Sequence, residues 1–311
     1  MNNQKNNLYF EEINNSGEEL IIFIHSNLLN KDMWVKQKDY FSDYNCIYID
    51  IPHHGDSYFE DEFSIERSME ILKELIEEKA YNFKNDSNNL QNKFKVKNKF
   101  KIKKVHLVGI SLGGQIILYL LAKYPDLIDT AIVSGVNIYE NPRKDNVNDI
   151  VAMMDRLKTD IFDKKPFKFR VKGLLAEYGL GKEHSEFIKC SIEKINQHDL
   201  NTITSQSLMF KIPEKEIFDK IHLENEYSNN KFNELNSSEN LLVLYGTKEY
   251  PMVQKSADLI KKRFNKPHLF SVYRSIHLWN IIDNEWFNET IKEFISEKNI
   301  DLNNKPYLNK K

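Results

Sequence analysis

One ten-residue segment, Val105–Gly114 (VHLVGISLGG), constrains the fold more tightly than any other part of the chain. It joins an apolar, strand-like stretch to the pattern Gly109-x-Ser111-x-Gly113, and an apolar helical pattern follows over Gln115–Lys123. A serine held on a tight turn between a strand and a helix has a strained backbone, and the residues two positions before and after it must be small. The segment therefore predicts a sharp turn that presents the Ser111 hydroxyl at a helix N-terminus, where developing negative charge is favoured.

Strand and helix patterns alternate through the first and last parts of the chain. The predicted strands are Leu8–Ile13, Leu20–His25, Cys46–Ile51, Val105–Val108, Ala131–Ser134, Leu241–Tyr245 and His268–Tyr273. The predicted helices between and after them are Lys31–Tyr44, Ser64–Lys79, Gln115–Lys123 and Trp286–Glu297. Alternation of this kind, with nearly continuous apolar strand runs, favours an α/β fold: a mostly parallel central sheet with helices on both faces.

Residues 139–239 interrupt this alternation with helical patterns and no convincing strand. The helical patterns there are Val147–Leu157, Phe167–Tyr178 and Ser185–Ile195. We expect residues 139–239 to form a helical cap inserted into a core made of residues 1–138 and 240–311. Within that core, the Lys- and Asn-rich stretch 81–104 is expected to be a solvated surface insertion, with an anion-binding patch as the alternative interpretation.

A serine hydroxyl becomes a useful nucleophile only with a base in hydrogen-bonding reach and an acid that orients the base. Four motifs suggest where these groups lie. They are Phe23–Asn27 followed by Trp34, Asp50–Ser57, the turn at Ser111, and Leu242–Glu249 with Ser275-Ile276-His277 after it. Together they resemble the α/β-hydrolase fold family, in its capped serine esterase, lactonase and thioesterase-like branch. The resemblance covers residues of about 8–138 and 240–297.

The resemblance implies a role for each matching residue. Ser111 would be the nucleophile, His277 the general base, and Glu249 the acid that orients His277. The backbone N–H groups of Asn27 and Leu112 would form the oxyanion hole. Gly109 and Gly113 would be the glycines of the nucleophile elbow, and neither a metal nor an organic cofactor is implied.

The chain departs from the family pattern at four positions. Ser26 and His53 stand where the family has glycine, a residue that eases unusual backbone angles. Ile276 replaces the glycine before the histidine, and Glu249 replaces the commoner aspartate. Two other acids compete with Glu249 on sequence grounds: Asp258, which falls in a helical pattern, and Asp283, which follows the histidine and breaks the expected order.

The function implied is hydrolysis of a carboxylic ester, thioester or lactone through an acyl-enzyme on Ser111. The substrate would be a small acyl compound with an apolar portion. One alternative is a lyase or C–C bond hydrolase with the same triad. An active-site Arg or Lys that grips a substrate carboxylate from the cap would favour it, and the candidates are Arg143, Arg156 and Arg170. A second alternative is a non-catalytic binding protein on a hydrolase scaffold.

Composition excludes several other classes. Two cysteines, Cys46 and Cys190, among 311 residues do not build a disulfide scaffold. A formal net charge of −2 gives no overall reason to expect nucleic acid as a partner. Residues 1–12 carry no apolar stretch of signal-peptide length, and no apolar run reaches the length of a membrane helix. We therefore expect a cytoplasmic protein without a membrane span.

Overall fold

Eight strands build a single sheet in the computed structural model, which describes residues 6–81, 102–138, 167–195, 197–213 and 240–311. The strands are β1 (Phe10–Ile13), β2 (Glu19–Ile24), β3 (Asn45–Ile49), β4 (Lys104–Ile110), β5 (Thr130–Ser134), β6 (Leu241–Gly246), β7 (His268–Val272) and β8 (Leu308–Lys310). Their spatial order is β1-β3-β2-β4-β5-β6-β7-β8. The six central strands, β2 to β7, pair in parallel with one another in that order. The edge strands β1 and β8 are antiparallel to the strands beside them.

Helices connect the strands, as a parallel sheet requires. They are α1 (Val35–Tyr40), α2 (Ile65–Ile76), α3 (Leu112–Lys123), α4 (Phe167–Tyr178), α5 (Ser185–Glu193), α6 (Gln197–Leu208), α7 (Pro251–Arg263), α8 (Trp279–Ile282) and α9 (Asn284–Glu297). The side chain of Ser64 caps α2 by accepting a hydrogen bond from the backbone N–H of Arg67. This architecture confirms the predicted α/β fold with a mostly parallel sheet.

Three of the elements that differ from the sequence expectation are informative. The predicted helix Lys31–Tyr44 is split into a 3₁₀ turn, Lys31–Trp34, and the short α1. Strand β8 was not predicted, because its three residues have no apolar alternation and depend on pairing with β7. The helix α6 was not predicted either, since its sequence, QHDLNTITSQSL, is mostly polar.

Parts of the predicted organisation lie outside the described residues. These parts are the predicted helix Val147–Leu157, most of the Lys- and Asn-rich stretch, and the candidate cations Arg143 and Arg156. Between β5 and β6, the described residues form α4, α5 and α6 and contain no strand.

No helix in the described part of the chain has both the length and the apolar character needed to span a bilayer.

The hydrophobic core lies on both faces of the sheet. The central strands β2 to β6 are buried almost throughout, which explains why their sequences read as continuous apolar runs. Among the largest side chains of the core, Trp34 and Trp279 are fully buried. Cys46, in β3, is buried with them, and burial raises the pKa of its thiol to about 12.

A buried histidine fixes the carboxyl end of β2. His25 is fully buried, and its Nε2 accepts a hydrogen bond of 2.9 Å from the backbone N–H of Ile51, just beyond β3. Its Nδ1 lies 2.8 Å from the carbonyl oxygen of Ser26, which completes the pattern of a neutral imidazole. Burial lowers the pKa of His25 well below its ordinary value, which agrees with that neutral form.

His106 in β4 is a second neutral, buried histidine. Its Nδ1 lies 2.8 Å from the hydroxyl of Thr130 in the neighbouring strand β5. Desolvation lowers the pKa of His106 to about 4, although Glu19 and Asp129 act in the opposite direction. The folded protein therefore resists protonation of His106 at pH values where the unfolded chain accepts a proton.

Replacing His106 tests this coupling between protonation and stability. The unfolded chain binds a proton at His106 below a pH of about 6.5, whereas the folded protein binds it only near pH 4. The free energy of unfolding should therefore fall as the pH drops through this window, by about 3 kcal/mol from this residue. His106→Gln should flatten that pH dependence by a similar amount, as measured by urea unfolding at a series of pH values.

The control is His184→Gln, which changes a partly exposed histidine outside the sheet. It should leave the pH dependence of the wild type in place. If His106→Gln lost stability with falling pH as steeply as the wild type does, the buried neutral state of His106 would be wrong.

Candidate active site

Ser111 occupies the turn between β4 and α3 in a strained backbone conformation. Its φ is 55° and its ψ is −113°, a region that residues other than glycine seldom adopt. The backbone N–H of Ser111 donates to the carbonyl of Ser134 at the end of β5, at 2.9 Å. Ser111 is thereby held at the carboxyl edge of the sheet, at the first turn of α3, as the sequence predicts.

The two elbow glycines permit this turn because neighbouring backbone comes very close to them. A Cβ at Gly113 would lie less than 3.0 Å from the carbonyl oxygens of Ile24 and His25. A Cβ at Gly109 would be as close to the backbone of Gly113 and to the side chain of Ile117. Contacts this short exclude any side chain at either position. Small residues are therefore required on both sides of Ser111 for a direct steric reason, as the sequence predicts.

His277 and Glu249 form a hydrogen-bonded pair at the same edge of the sheet. His277 Nδ1 lies 2.6 Å from Glu249 Oε1, and the Glu249 side chain is only 2% exposed. The other carboxylate oxygen of Glu249 accepts a hydrogen bond of 2.5 Å from the backbone N–H of Gly246. Glu249 follows β6 and His277 follows β7, so two adjacent parallel strands deliver the acid and the histidine to one place.

Gly135 makes room for this pair. It follows β5 with a φ of 62°, and a Cβ there would lie 2.8 Å from both Glu249 Oε1 and His277 Nδ1. The loop that carries His277 is fixed nearby, because Trp279 Nε1 donates to the Ser134 hydroxyl at 2.9 Å. The end of β5 therefore supports the serine turn and the histidine loop together.

The loop after β2 brings Asn27 to the same region. Its backbone has a positive φ at Leu28, 60°, and not at Ser26, where the family pattern has glycine. Within the described residues, the backbone N–H groups of Asn27 and Leu112 donate no hydrogen bond. These are the two groups that the family resemblance assigns to an oxyanion hole.

A cavity of about 250 Å³ lies where these segments meet. Five of the candidate site and loop residues line it: Asn27, Leu28, Ser111, Glu249 and His277. Its apolar lining comes mainly from Leu174, Leu208, Val253 and Ile276, and its polar lining includes Asn137, Ser207, Lys248 and Tyr250. The three candidate triad residues thus face one shared space.

The two competing acids lie apart from this arrangement. Asp258 is part of α7, as its helical pattern predicts. Asp283 accepts a hydrogen bond of 2.6 Å from the hydroxyl of Ser275 and so supports the loop that carries His277. His53, at the second position where glycine is replaced, has a φ of 66° and tolerates a conformation that glycine adopts more easily.

Three residues that shape this site were not predicted from the sequence: Gly135, Gln115 and Tyr178. A glycine directly after a strand is the signal that could have pointed to Gly135. Gln115 is a polar residue inside an apolar helix, and its Nε2 donates to the carbonyls of Asn137 and Ser207, each at 2.8 Å. Tyr178 ends α4, and nothing in the sequence shows that it reaches Asn27 and His277.

The fold and the site define a class of α/β protein. Its members have a serine at a strained strand-to-helix turn and a His–Glu pair that lines the same cavity. A family model described as the alpha/beta hydrolase fold matches residues 19–278. The chain therefore belongs to the α/β-hydrolase fold family. The match includes every residue assigned to the candidate site.

Relatives and solved structures agree with this family. An AB hydrolase superfamily protein of Gibberella zeae is 27% identical over 132 residues, 42% of this chain. That alignment covers 40% of the relative, so the chain spans less than half the length of this curated protein. A structure from a study of carboxylesterases of Nitrososphaera gargenis has a TM-score of 0.66 at 15% identity, with 94% of each chain covered.

An esterase from a marine microorganism has a TM-score of 0.62 at 22% identity. The comparison covers 93% of this chain and all of that one. At such identities the likeness concerns the fold, and the activity of this chain has to be argued from its own residues.

Gly135→Ala tests whether the His–Glu pair depends on space at the end of β5. The added methyl group would press on both partners and would require a left-handed backbone at alanine, which costs about 1–2 kcal/mol. We expect the far-downfield proton signal of the His277 Nδ1–H, observed by ¹H NMR, to shift or disappear, and the melting temperature to fall.

Gly17→Ala is the matched control, because its Cβ would meet only Asn45 Nδ2, at an ordinary 3.5 Å. That variant should keep the downfield signal. An unchanged signal and melting temperature in Gly135→Ala would show that the pair does not need this space.

Proposed function

We propose that this chain is a serine hydrolase that cleaves a carboxylic ester, thioester or lactone through an acyl-enzyme on Ser111. The observation that carries the proposal is the meeting of three groups at one cavity. They are the strained serine at the N-terminus of α3, His277, and the buried Glu249 that holds His277. Serine, acid and histidine also follow one another in the chain order of the family's hydrolases.

The first chemical step transfers the acyl group to the serine. The hydrogen bond between Glu249 and Nδ1 leaves Nε2 of His277 to take the proton from the Ser111 hydroxyl. The Ser111 oxygen attacks the carbonyl carbon, and a tetrahedral intermediate forms. His277 then returns the proton to the departing alcohol, thiol or ring oxygen as the carbonyl re-forms. Glu249 stabilises the imidazolium that exists between these two proton transfers.

The second step removes the acyl group. A water molecule gives a proton to His277 and attacks the ester carbonyl at Ser111, and the serine oxygen recovers the proton as the acid leaves. In both tetrahedral intermediates the negative oxygen would accept hydrogen bonds from the backbone N–H groups of Asn27 and Leu112. A donor of this kind lowers the barrier by about 3 kcal/mol. Neither step requires a metal or an organic cofactor.

The cavity suggests what kind of acyl compound fits. A volume of about 250 Å³ with leucine, valine and isoleucine in its lining suits a small substrate with an apolar portion. Helices α4 and α6 contribute Leu174, Tyr178 and Leu208 to that lining. We therefore propose that residues 139–239 act as a cap over the core formed by residues 1–138 and 240–311. The expected setting is the cytoplasm, with a small-molecule substrate and no nucleic-acid partner.

Labelling with a fluorophosphonate probe tests the proposal. The wild type should form one covalent adduct on Ser111, and Ser111→Ala should form none. Glu249→Gln should label about 10²–10⁴-fold more slowly, because the amide can no longer stabilise the imidazolium. Asp283→Asn is the control acid, since Asp283 follows α8 and contacts Ser275. The amide oxygen of asparagine can still accept the hydrogen bond from the Ser275 hydroxyl, so this variant should label at the wild-type rate.

Two outcomes would count against the proposal. A wild-type protein that stays unlabelled while it is folded would not be a serine hydrolase. Rapid labelling of Glu249→Gln together with slow labelling of Asp283→Asn would show that Asp283, and not Glu249, is the orienting acid.

A further inference from the structure

The carboxyl end of α4 contacts the candidate site at two points through one side chain. Tyr178 is the last residue of α4 and is 6% exposed. Its hydroxyl donates a hydrogen bond of 2.5 Å to the backbone carbonyl of Asn27. Its ring lies nearly parallel to the imidazole of His277, with 5.8 Å between the ring centroids and 12° between the planes. One tyrosine therefore touches both the loop after β2 and the histidine.

The residue after Tyr178 adds a third contact. Gly179 has a φ of 69°, and a Cβ there would lie 2.9 Å from the side chain of Ile276. Ile276 directly precedes His277, at the position where the family pattern has glycine. The close packing of Gly179 on Ile276 holds the end of α4 against the histidine loop and keeps the Tyr178 ring over the imidazole.

The loop that contains Asn27 has a strained residue and a weak backbone hydrogen bond. Leu28 adopts a left-handed conformation, which costs a bulky residue about 1–2 kcal/mol. The loop has one backbone hydrogen bond of its own in the described residues, from Leu29 N–H to the carbonyl of Ser26, and it is long at 3.3 Å. The short bond from the Tyr178 hydroxyl to the Asn27 carbonyl fixes the peptide group between Asn27 and Leu28, and so restricts the backbone of Asn27.

We propose that Tyr178 is a positioning residue that sets the backbone of Asn27 and the ring of His277 at the same time. The inference rests on the proposed hydrolase function, in which the Asn27 N–H binds the oxyanion and His277 moves the proton. Its contacts with the site are the hydrogen bond to the backbone of Asn27 and the ring contact with His277, so Tyr178 is assigned to positioning these two groups. It acts through the hydroxyl on one partner and through the ring face on the other.

This role assigns separate effects to the two parts of the side chain. The hydroxyl orients an oxyanion donor, which matters only when negative charge develops, so its loss should lower kcat and leave KM unchanged. The ring fixes the plane of the imidazole, so its loss should lower kcat further. A tyrosine that merely anchored α4 would instead affect melting temperature or KM.

The experiment compares Tyr178→Phe, which keeps the ring, with Tyr178→Leu, which removes ring and hydroxyl. With p-nitrophenyl esters, Tyr178→Phe should lose about ten-fold in kcat, and Tyr178→Leu about a hundred-fold. Affinity for an alkyl boronic acid, which forms a tetrahedral adduct with the serine, should fall in Tyr178→Phe by the same factor as kcat/KM. Tyr273→Phe removes a hydroxyl from an exposed tyrosine that does not line the cavity and should match the wild type.

The outcomes separate this inference from the proposed function. If the wild type hydrolyses the esters and Tyr178→Phe keeps its kcat and its boronic acid affinity, the positioning role is wrong and the hydrolase proposal stands. A loss in Tyr178→Phe that lies entirely in KM also overturns the positioning role. If the folded wild type neither reacts with fluorophosphonate nor hydrolyses any ester, the proposed function fails first.

Discussion

The close approach of the first turn of α3 to the end of β2 is the constraint on which the rest of the site depends. Gly113 lies so near the carbonyl oxygens of Ile24 and His25 that no side chain fits between them, and its N–H donates to the His25 carbonyl at 3.1 Å. The same approach bends the chain at Ser111 into a conformation that costs free energy, about 1–3 kcal/mol for a residue of this kind. The buried contacts of β2, β4 and β5 outweigh that cost and hold the serine at the sheet edge.

The acid and the histidine reach this edge by a simple topological rule. In a parallel sheet every strand ends at the same side, so the loops after β2, β4, β6 and β7 converge there. Gly135, at the end of β5, leaves space for the hydrogen bond between Glu249 and His277. The loops at this edge are short, and they bring together residues that are far apart in sequence. Asn27 and His277, for example, are 250 positions apart.

Features set by local sequence could be predicted, and features set by distant contacts could not. The turn at Ser111 and its two glycines follow from a pattern of ten residues, and the buried strands follow from continuous apolar runs. The capping of α2 by Ser64 could also be predicted from the sequence, because capping is a local interaction. The order of serine, acid and histidine was predicted from resemblance, and the structure adds the 2.6 Å contact between Glu249 and His277. Their catalytic roles stay predictions.

Tyr178 and Gly135 illustrate what sequence reasoning cannot reach. The contact from Tyr178 to Asn27 joins residues 151 positions apart and depends on how α4 packs against the sheet domain. The replacement of glycine by Ser26 suggested an altered loop, yet the left-handed residue in that loop is Leu28. Backbone angles of this kind arise from the whole loop and its neighbours, so one residue type does not determine them.

The central claim is that the acyl group passes through a covalent intermediate on the protein. Partitioning of one acyl group between water and added methanol tests it most directly, with acetyl esters of p-nitrophenol and phenol and the thioester of thiophenol as substrates. A common acyl-enzyme predicts the same ratio of methyl acetate to acetate for all three leaving groups, because the leaving group has departed before partitioning. A ratio that changes with the leaving group would mean direct attack by water and would contradict the account.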